Sequence, residues 1–120
     1  MSAAGKRKGS LFESQLEQWM IDAGYDATRL PRSGVKDIGD LHVRLKDGSY
    51  LVFEAKARKT MALAEWMREA DIEAAHHEAK YGRESWGVVV HKKRQASIGE
   101  AYVTIPLAQY MEFLRLRGIA

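Results

Sequence analysis

The segment from Gly39 to Lys56 constrains this chain more than any other, because it reads as two amphipathic strands joined by a short polar turn. Leu51, Phe53 and Ala55 alternate with Tyr50, Val52, Glu54 and Lys56, the period-two pattern of a half-buried strand. Glu54 and Lys56 therefore point the same way. Upstream, Leu41, Val43 and Leu45 alternate with Asp40, His42 and Arg44, and Lys46-Asp47-Gly48 separates the runs. A two-residue Asp47-Gly48 loop would set Leu41 opposite Glu54 and throw Asp40 onto the other face, since a one-residue slip inverts every side chain. A three-residue loop with Gly48 in the left-handed conformation instead pairs Leu45 with Ser49, and hence Asp40 with Glu54. Only this register gathers Leu41, Val43, Leu51 and Phe53 on one apolar face, and it is the register predicted. Directly opposed residues hold their Cβ atoms about 5 Å apart, close enough for two carboxylates to grip one divalent cation.

Lys56 is the third member of that face. Paired carboxylates suit magnesium, a hard cation that takes oxygen ligands and keeps several waters. A neighbouring ammonium can hold an attacking oxygen or offset charge building on a pentavalent phosphate. The plain alternative is a surface strand of alternating charge in which Lys56 merely neutralises Glu54; the upstream acid in matching register weighs against it. His42, His76, His77 and His91 are scattered, and His77-Glu78 lacks the second histidine at helical spacing that a zinc protease needs. His76 and His77 read as helix surface residues. The chain has no glycine-rich phosphate loop, nucleophile elbow or dinucleotide fingerprint, so no nucleotide cofactor is expected.

At 120 residues and 46% hydrophobic, the chain has the size and apolar content of one compact domain. With no cysteine, neither a disulfide framework nor a thiolate zinc site is available, and a cytoplasmic, intracellular location is the expectation. Lys6-Arg7-Lys8 leads into Gly9-Ser10 rather than an apolar run, so no signal peptide opens the chain, and no stretch reaches membrane-spanning length. The net charge of +3 says little about partners, but the placement of the basic residues says more. Arg29, Arg32, Lys36, Arg58, Lys59, Lys92, Lys93 and Arg94 fall in or beside the loops and strand ends that flank the acidic pair, as a phosphate-binding rim would require.

In chain order, residues 1–9 are small, glycine-containing and basic, the composition of a mobile arm that orders on a polyanion. Ser10 reads as the N-cap of a first helix, from about Leu11 to Ala23, whose apolar stripe is Phe12, Leu16, Trp19, Met20 and Ala23. Glu13 then has an ordinary structural role as the partner of Ser10 in a capping box. Tyr25 to Leu30 is a first strand, and a polar loop from Pro31 to Asp37 leads into Asp40. After Lys56, Thr60 can cap a long helix carrying Leu63, Trp66, Met67, Ala70 and Ala74. Trp86 to Val90 suits a strand buried on both faces, Ala101 to Ile105 is the last strand, and Pro106 opens a final helix with Leu107, Tyr110, Met111 and Leu114. This order predicts an α/β sandwich with a mixed central sheet, the Glu54 and Val88 strands parallel neighbours joined through a helix, and the carboxylates at the sheet's edge, open to a long ligand.

Arg7-Lys8-Gly9-Ser10, Glu13, Arg32-Ser33-Gly34, Asp40 and Glu54-Ala55-Lys56, taken in order and spacing, resemble an archaeal-type Holliday junction resolvase. That family lies within the PD-(D/E)XK, or restriction-endonuclease-like, nuclease superfamily. The resemblance covers residues 6 to 60; the later helix and strands agree in type only. It implies a three-layer α/β sandwich, with a mixed sheet of about five strands flanked by helices, built from residues 10–120 as one nuclease domain after the basic arm. It further implies that Asp40 and Glu54 are metal ligands, that Lys56 is the catalytic lysine, that Glu13 completes the acidic site, and that Ser33 sits near the scissile phosphate. Gly39 stands where the superfamily name has proline, a departure tolerated at a variable position. The activity implied is a magnesium-dependent endonuclease, with manganese as substitute, that resolves four-way DNA junctions by phosphodiester hydrolysis. DNA contacts fall to Lys6, Arg7, Lys8, Arg29, Arg32, Lys36, Arg58, Lys59, Lys92 and Lys93. A four-way junction is close to twofold symmetric, so symmetrical cutting implies a homodimer, with the last helix or the Val88 strand as candidate interface. Two other readings stand beside it: a related nuclease acting on nicks, flaps or duplex sites, and a DNA-binding module of the same fold that does not cleave.

Overall fold

In a computed structural model, the backbone is described for residues 3–32 and 36–120, and the side chains from residue 9 onward within those ranges. The two alternating runs form a hairpin after the expected first strand, so the order is α1 (Ala3–Asp22), β1 (Asp26–Arg29), β2 (Leu41–Arg44) and β3 (Tyr50–Lys56). Then come α2 (Leu63–Tyr81), β4 (Ser85–His91), a short 3-10 turn, β5 (Tyr102–Thr104) and α3 (Leu107–Leu116).

The β2–β3 hairpin forms in the predicted register, with Leu41 across from Phe53 and Val43 across from Leu51. One step further along the same register, Asp40 lies across from Glu54. The Leu45 amide donates to the Ser49 carbonyl at 2.8 Å and the Gly48 amide to the Leu45 carbonyl at 2.9 Å, closing the loop at Lys46, Asp47 and Gly48. Gly48 takes φ 88°, where an L-residue would be strained by about 1–2 kcal/mol. The strands lie side by side in sequence order, β1-β2-β3-β4-β5, with β3 at the centre. β3 and β4 run parallel through α2, as expected for a helical crossover, and the other pairs are antiparallel.

Each face of the sheet is covered by one long helix. Phe12, Leu16 and Met20 of α1 pack on Leu41, Val43, Phe53, Val88 and Val90. On the other face Trp66, Met67 and Ala70 of α2 pack on Val89. The close fit there depends on Gly87, where an added Cβ would meet the Ala70 carbonyl oxygen at 2.6 Å. Helix α3 is anchored at its end, where Arg117 donates to the Ser49 hydroxyl at 2.6 Å and pairs with Asp47 at 3.3 Å.

Several expectations from the sequence are corrected. α1 begins at Ala3, so the backbone expected to be an arm is already helical from there and Ser10 is not an N-cap. Alanines and long basic residues are strong helix formers, and Gly5 and Gly9 weaken the first turns by about 1 kcal/mol each without stopping them. The side chains of Lys6, Arg7 and Lys8 lie outside the described residues, as does Ser33. Thr60 does not cap α2; residues 57–62 carry the chain off the sheet, Ala62 takes the N-cap position, and Glu65 in the first turn faces the positive end of the helix dipole. Trp19 and Ala23 leave the apolar stripe of α1 for the exposed side. The stripe on α3 packs poorly: none of its residues is buried, and Leu107 is 76% exposed.

The largest correction concerns His77, which is wholly buried rather than at the surface. It falls on the face of α2 set by Ala70 and Ala74, which turns into the sheet. Its burial is tolerated because both ring nitrogens are partnered: Nε2 lies 2.7 Å from His42 Nδ1 and Nδ1 lies 2.7 Å from Ser85 Oγ. Burial pushes the His77 imidazole down to about 4, and His42 also below its ordinary value. His76 is half-buried, with Nδ1 3.0 Å from the Asp37 carbonyl oxygen.

Candidate active site

The residues predicted for the acidic pair meet at the end of the two central strands, not at an outer edge of the sheet, and both are nearly buried at 6% exposure. Strand alternation delivers Glu54 and Lys56 to the α2 face, and the hairpin register delivers Asp40 beside them. Backbone contacts fix Asp40 tightly. Its amide donates to the Phe53 carbonyl and its carbonyl accepts from the Leu30 amide, each at 2.9 Å. Its carboxylate Oδ2 accepts the Ala55 amide at 2.8 Å. The residue before it, Gly39, is no casual departure from proline: it takes φ 104°, and an added Cβ would meet Val52 Cγ1 at 2.5 Å.

These side chains form the floor and walls of a recess of ≈ 430 Å³ lined by Gly9, Ser10, Glu13, Arg29, Arg32, Asp40, Glu54, Ala55, Lys56, Ala57 and Arg58. Lys56 Nζ lies 3.6 Å from Glu54 Oε1 and 2.9 Å from Glu69 Oε2. Glu13, in the middle of α1, is 3% exposed and is held by two arginines, Arg29 at 3.3 Å and Arg32 at 3.1 Å. Arg32 also stands 3.9 Å from Asp40 Oδ1, so it bridges the two acids. With Ser10 inside the helix, the capping-box role for Glu13 is removed. Among the described residues no group of three or more histidine, aspartate or glutamate side chains is placed to hold a metal ion, so Glu13 is not gathered with Asp40 and Glu54 into one cluster.

Burial dominates the electrostatics. It pushes the Asp40 carboxyl up to about 8, helped by Glu54, and pushes Glu54 up to about 8, helped by a hydrogen bond with Glu73. Glu73 is raised to about 7 by its own burial. One oxygen each of Glu54 and Glu73 is buried without a hydrogen-bond partner among the described residues. Burial works against the Lys56 charge, but Glu69, Glu54 and Asp40 outweigh it and its pKa is raised, so the amine is an ammonium at neutral pH.

Glu69 and Glu73 were not anticipated. Their signal was present in the sequence as acids at helical spacing with Trp66, Ala70 and Ala74, on the stripe that had to be buried. Beside the recess lies a second, smaller one of ≈ 150 Å³, which shares Ala57 and Arg58 with it and adds Lys59, Lys92, Arg94 and Gln95. Of the expected basic rim, Arg29, Arg32 and Arg58 line the main recess, whereas Lys93 stands 3.9 Å from Glu100, and Lys36 is exposed. Among the described residues no helix is long and apolar enough to cross a membrane.

The mixed sheet thus sets one acid across the β2–β3 hairpin from an acid-x-lysine. The sequence model of the family described as "Archaeal holliday junction resolvase (hjc)" matches residues 4–105. The chain belongs to the archaeal Holliday junction resolvase family, and its enzyme class is that of a nuclease. Among solved structures it is similar to Archaeoglobus fulgidus Hjc, a Holliday junction resolvase from an archaeal hyperthermophile, at 19% identity over 82% of this chain and 91% of that one, with a TM-score of 0.47. No curated protein sequence matches the chain.

Proposed function

We propose that this chain is a divalent-cation-dependent endonuclease that cuts four-way DNA junctions symmetrically, and that Asp40, Glu54 and Lys56 carry the chemistry. One observation bears most of the weight: Asp40 and Glu54 stand across the hairpin at the floor of an open recess, with the Lys56 ammonium 3.6 Å from Glu54. The donor set fits a hard cation, because two buried carboxyls crowd together and a Glu54 oxygen lacks a hydrogen-bond partner. Magnesium suits such oxygen ligands, with manganese as substitute, and when bound would supply positive charge to the phosphate and acidify water.

The chain's own residues supply the rest. Lys56, held protonated, orients the attacking water oxygen and offsets negative charge that builds on the phosphate. In-line attack by water expels the 3′ oxygen and leaves a 5′ phosphate. Arg29 and Arg32 hold Glu13 and are also the groups a DNA phosphate would compete for; released from them, Glu13 would be the further acid available to a bound cation. Ser33 belongs near the scissile phosphate on this reading. Lys6, Arg7, Lys8, Lys36, Arg58, Lys59, Lys92 and Lys93 take the flanking phosphates, where the second recess continues the first. A junction's twofold symmetry calls for a homodimer; the buried Val88 strand is unsuited to an interface, whereas α3 and β5 expose apolar side chains. Residues 10–120 act as one nuclease domain.

The test is cleavage of a labelled immobile junction, a matched duplex and a flap, each with magnesium or with chelator. Paired cuts in the junction alone, abolished by chelator, are expected. Equal cutting of all three substrates overturns junction specificity, and no cation-dependent cutting overturns the enzyme. Glu54→Ala and Lys56→Ala are expected to lose turnover while keeping junction affinity, measured by gel shift in chelator.

A further inference from the structure

We infer that Glu69 is a positioning residue for the reaction, holding the Lys56 ammonium where the phosphate must meet it; this rests on the nuclease reading of the site. A lysine ammonium sits on a flexible four-carbon stem, so a catalytic amine needs something to pin it. Glu54 is too far to do this alone, at 3.6 Å from Nζ, whereas Glu69 Oε2 is within hydrogen-bond distance at 2.9 Å. The Trp66 ring, 5.9 Å from the amine and one turn before Glu69 on α2, closes the third side. The Lys56 side chain is left only 14% exposed, while Glu69 is 40% exposed and reaches in from the rim.

The clamp is built by the fold. Lys56 and Glu69 lie on different elements, and the distance between them is set by how closely α2 approaches the sheet. Gly87 lets α2 come close to the sheet at Ala70, the residue next to Glu69, where an added Cβ would meet the Ala70 carbonyl oxygen. An ordinary exposed ion pair would be worth little to stability and nothing to rate. This pair differs because one partner is nearly buried and its head group lines the recess beside Glu54. Loss of Glu69 leaves the amine attached to Glu54 alone and free to swing away from the phosphate position.

The experiment compares wild type, Glu69→Gln and Glu69→Ala by single-turnover junction cleavage, junction affinity in chelator, thermal melting, and the nitrogen-15 correlation signals of lysine ammonium groups. Glu69→Ala should slow cleavage by roughly 10- to 100-fold, the scale of a reacting group misplaced by about 1 Å, with affinity and melting temperature unchanged. Glu69→Gln, which keeps an oxygen acceptor, should recover part of the rate. The Lys56 ammonium signal, protected in wild type, should be lost in Glu69→Ala and kept in part in Glu69→Gln. Unchanged cleavage in Glu69→Ala, or a loss of rate matched by a loss of affinity or melting temperature, overturns the inference. So does an unchanged Lys56 signal. A wild-type protein that cuts no junction overturns the nuclease reading instead, and the ammonium signal, which needs no turnover, separates the two failures.

Discussion

Asp40, Glu54 and Glu73 keep protons in the folded chain that an unfolded chain has already lost, because burial lifts them to about 8, about 8 and about 7. For such groups stability is fully present below the ordinary carboxylate range and is lost as pH rises through the folded values. His77 runs the other way. Pushed down to about 4, it contributes stability above its ordinary value of 6.5 that is lost as pH falls through about 4. The two trends oppose each other below pH 6.5, and only the carboxyls titrate above it. In chelator, the melting temperature is therefore expected to fall between pH 6.5 and 8, each titrating group contributing at most about 1.4 kcal/mol per pH unit, and Asp40→Asn should flatten the fall. A flat wild-type profile in that window would count against the buried acidic pair. At this scale the sequence spoke clearly about Asp40, Glu54 and Lys56, since strand alternation assigns their faces. It misread His77 as a surface residue, although Ala70 and Ala74 mark its face of α2, because the partner that makes its burial tolerable, His42, lies 35 residues away. It also understated Gly39, whose positive φ and contact with Val52 leave no room for the proline of the superfamily's name.

The hairpin is the element on which the site stands, and its turn is the part most easily tested. Gly48→Val should destabilise by about 1–2 kcal/mol in urea denaturation, the strain of an L-residue at positive φ, while leaving the register intact. Deleting Leu45 should do something different in kind: the loop Lys46-Asp47-Gly48 then pairs Arg44 with Ser49, which sets Asp40 across from Phe53 and off the face of Glu54, so that cleavage disappears. A deletion variant that still cuts would show that Asp40 is dispensable. This register was legible because only one pairing places Leu41, Val43, Leu51 and Phe53 on the same side. Helix starts were less legible. Ser10 and Thr60 carry the chemistry of caps but sit within α1 and ahead of α2, because a cap works only where the chain actually turns. Glu69 and Glu73 were missed for a different reason: an acid on a helix reads as solvated unless its helical spacing with buried neighbours, here Trp66, Ala70 and Ala74, is followed.

For the molecule as a whole, α3 and β5 each contribute exposed apolar surface, with Leu107 76% and Val103 58% exposed. If a second copy covers it, wild type should sediment as a dimer and Leu107→Glu as a monomer. The variant should then nick junctions singly instead of cutting them in pairs. A wild-type monomer that makes paired cuts would remove this interface. The strand order carries a consequence for how the chain is made. Because β1 to β5 lie side by side in the order of the sequence, each strand can dock on the one completed before it, and the sheet can grow as the chain emerges. The four strand pairings separate into quick and slow steps: the β2–β3 hairpin closes across its short turn, whereas β3–β4 must wait for all of α2. A nascent chain therefore holds Asp40 and Glu54 together before α2 exists to cover them, and a ribosome that stalls there would display a bare acidic hairpin without its lysine clamp.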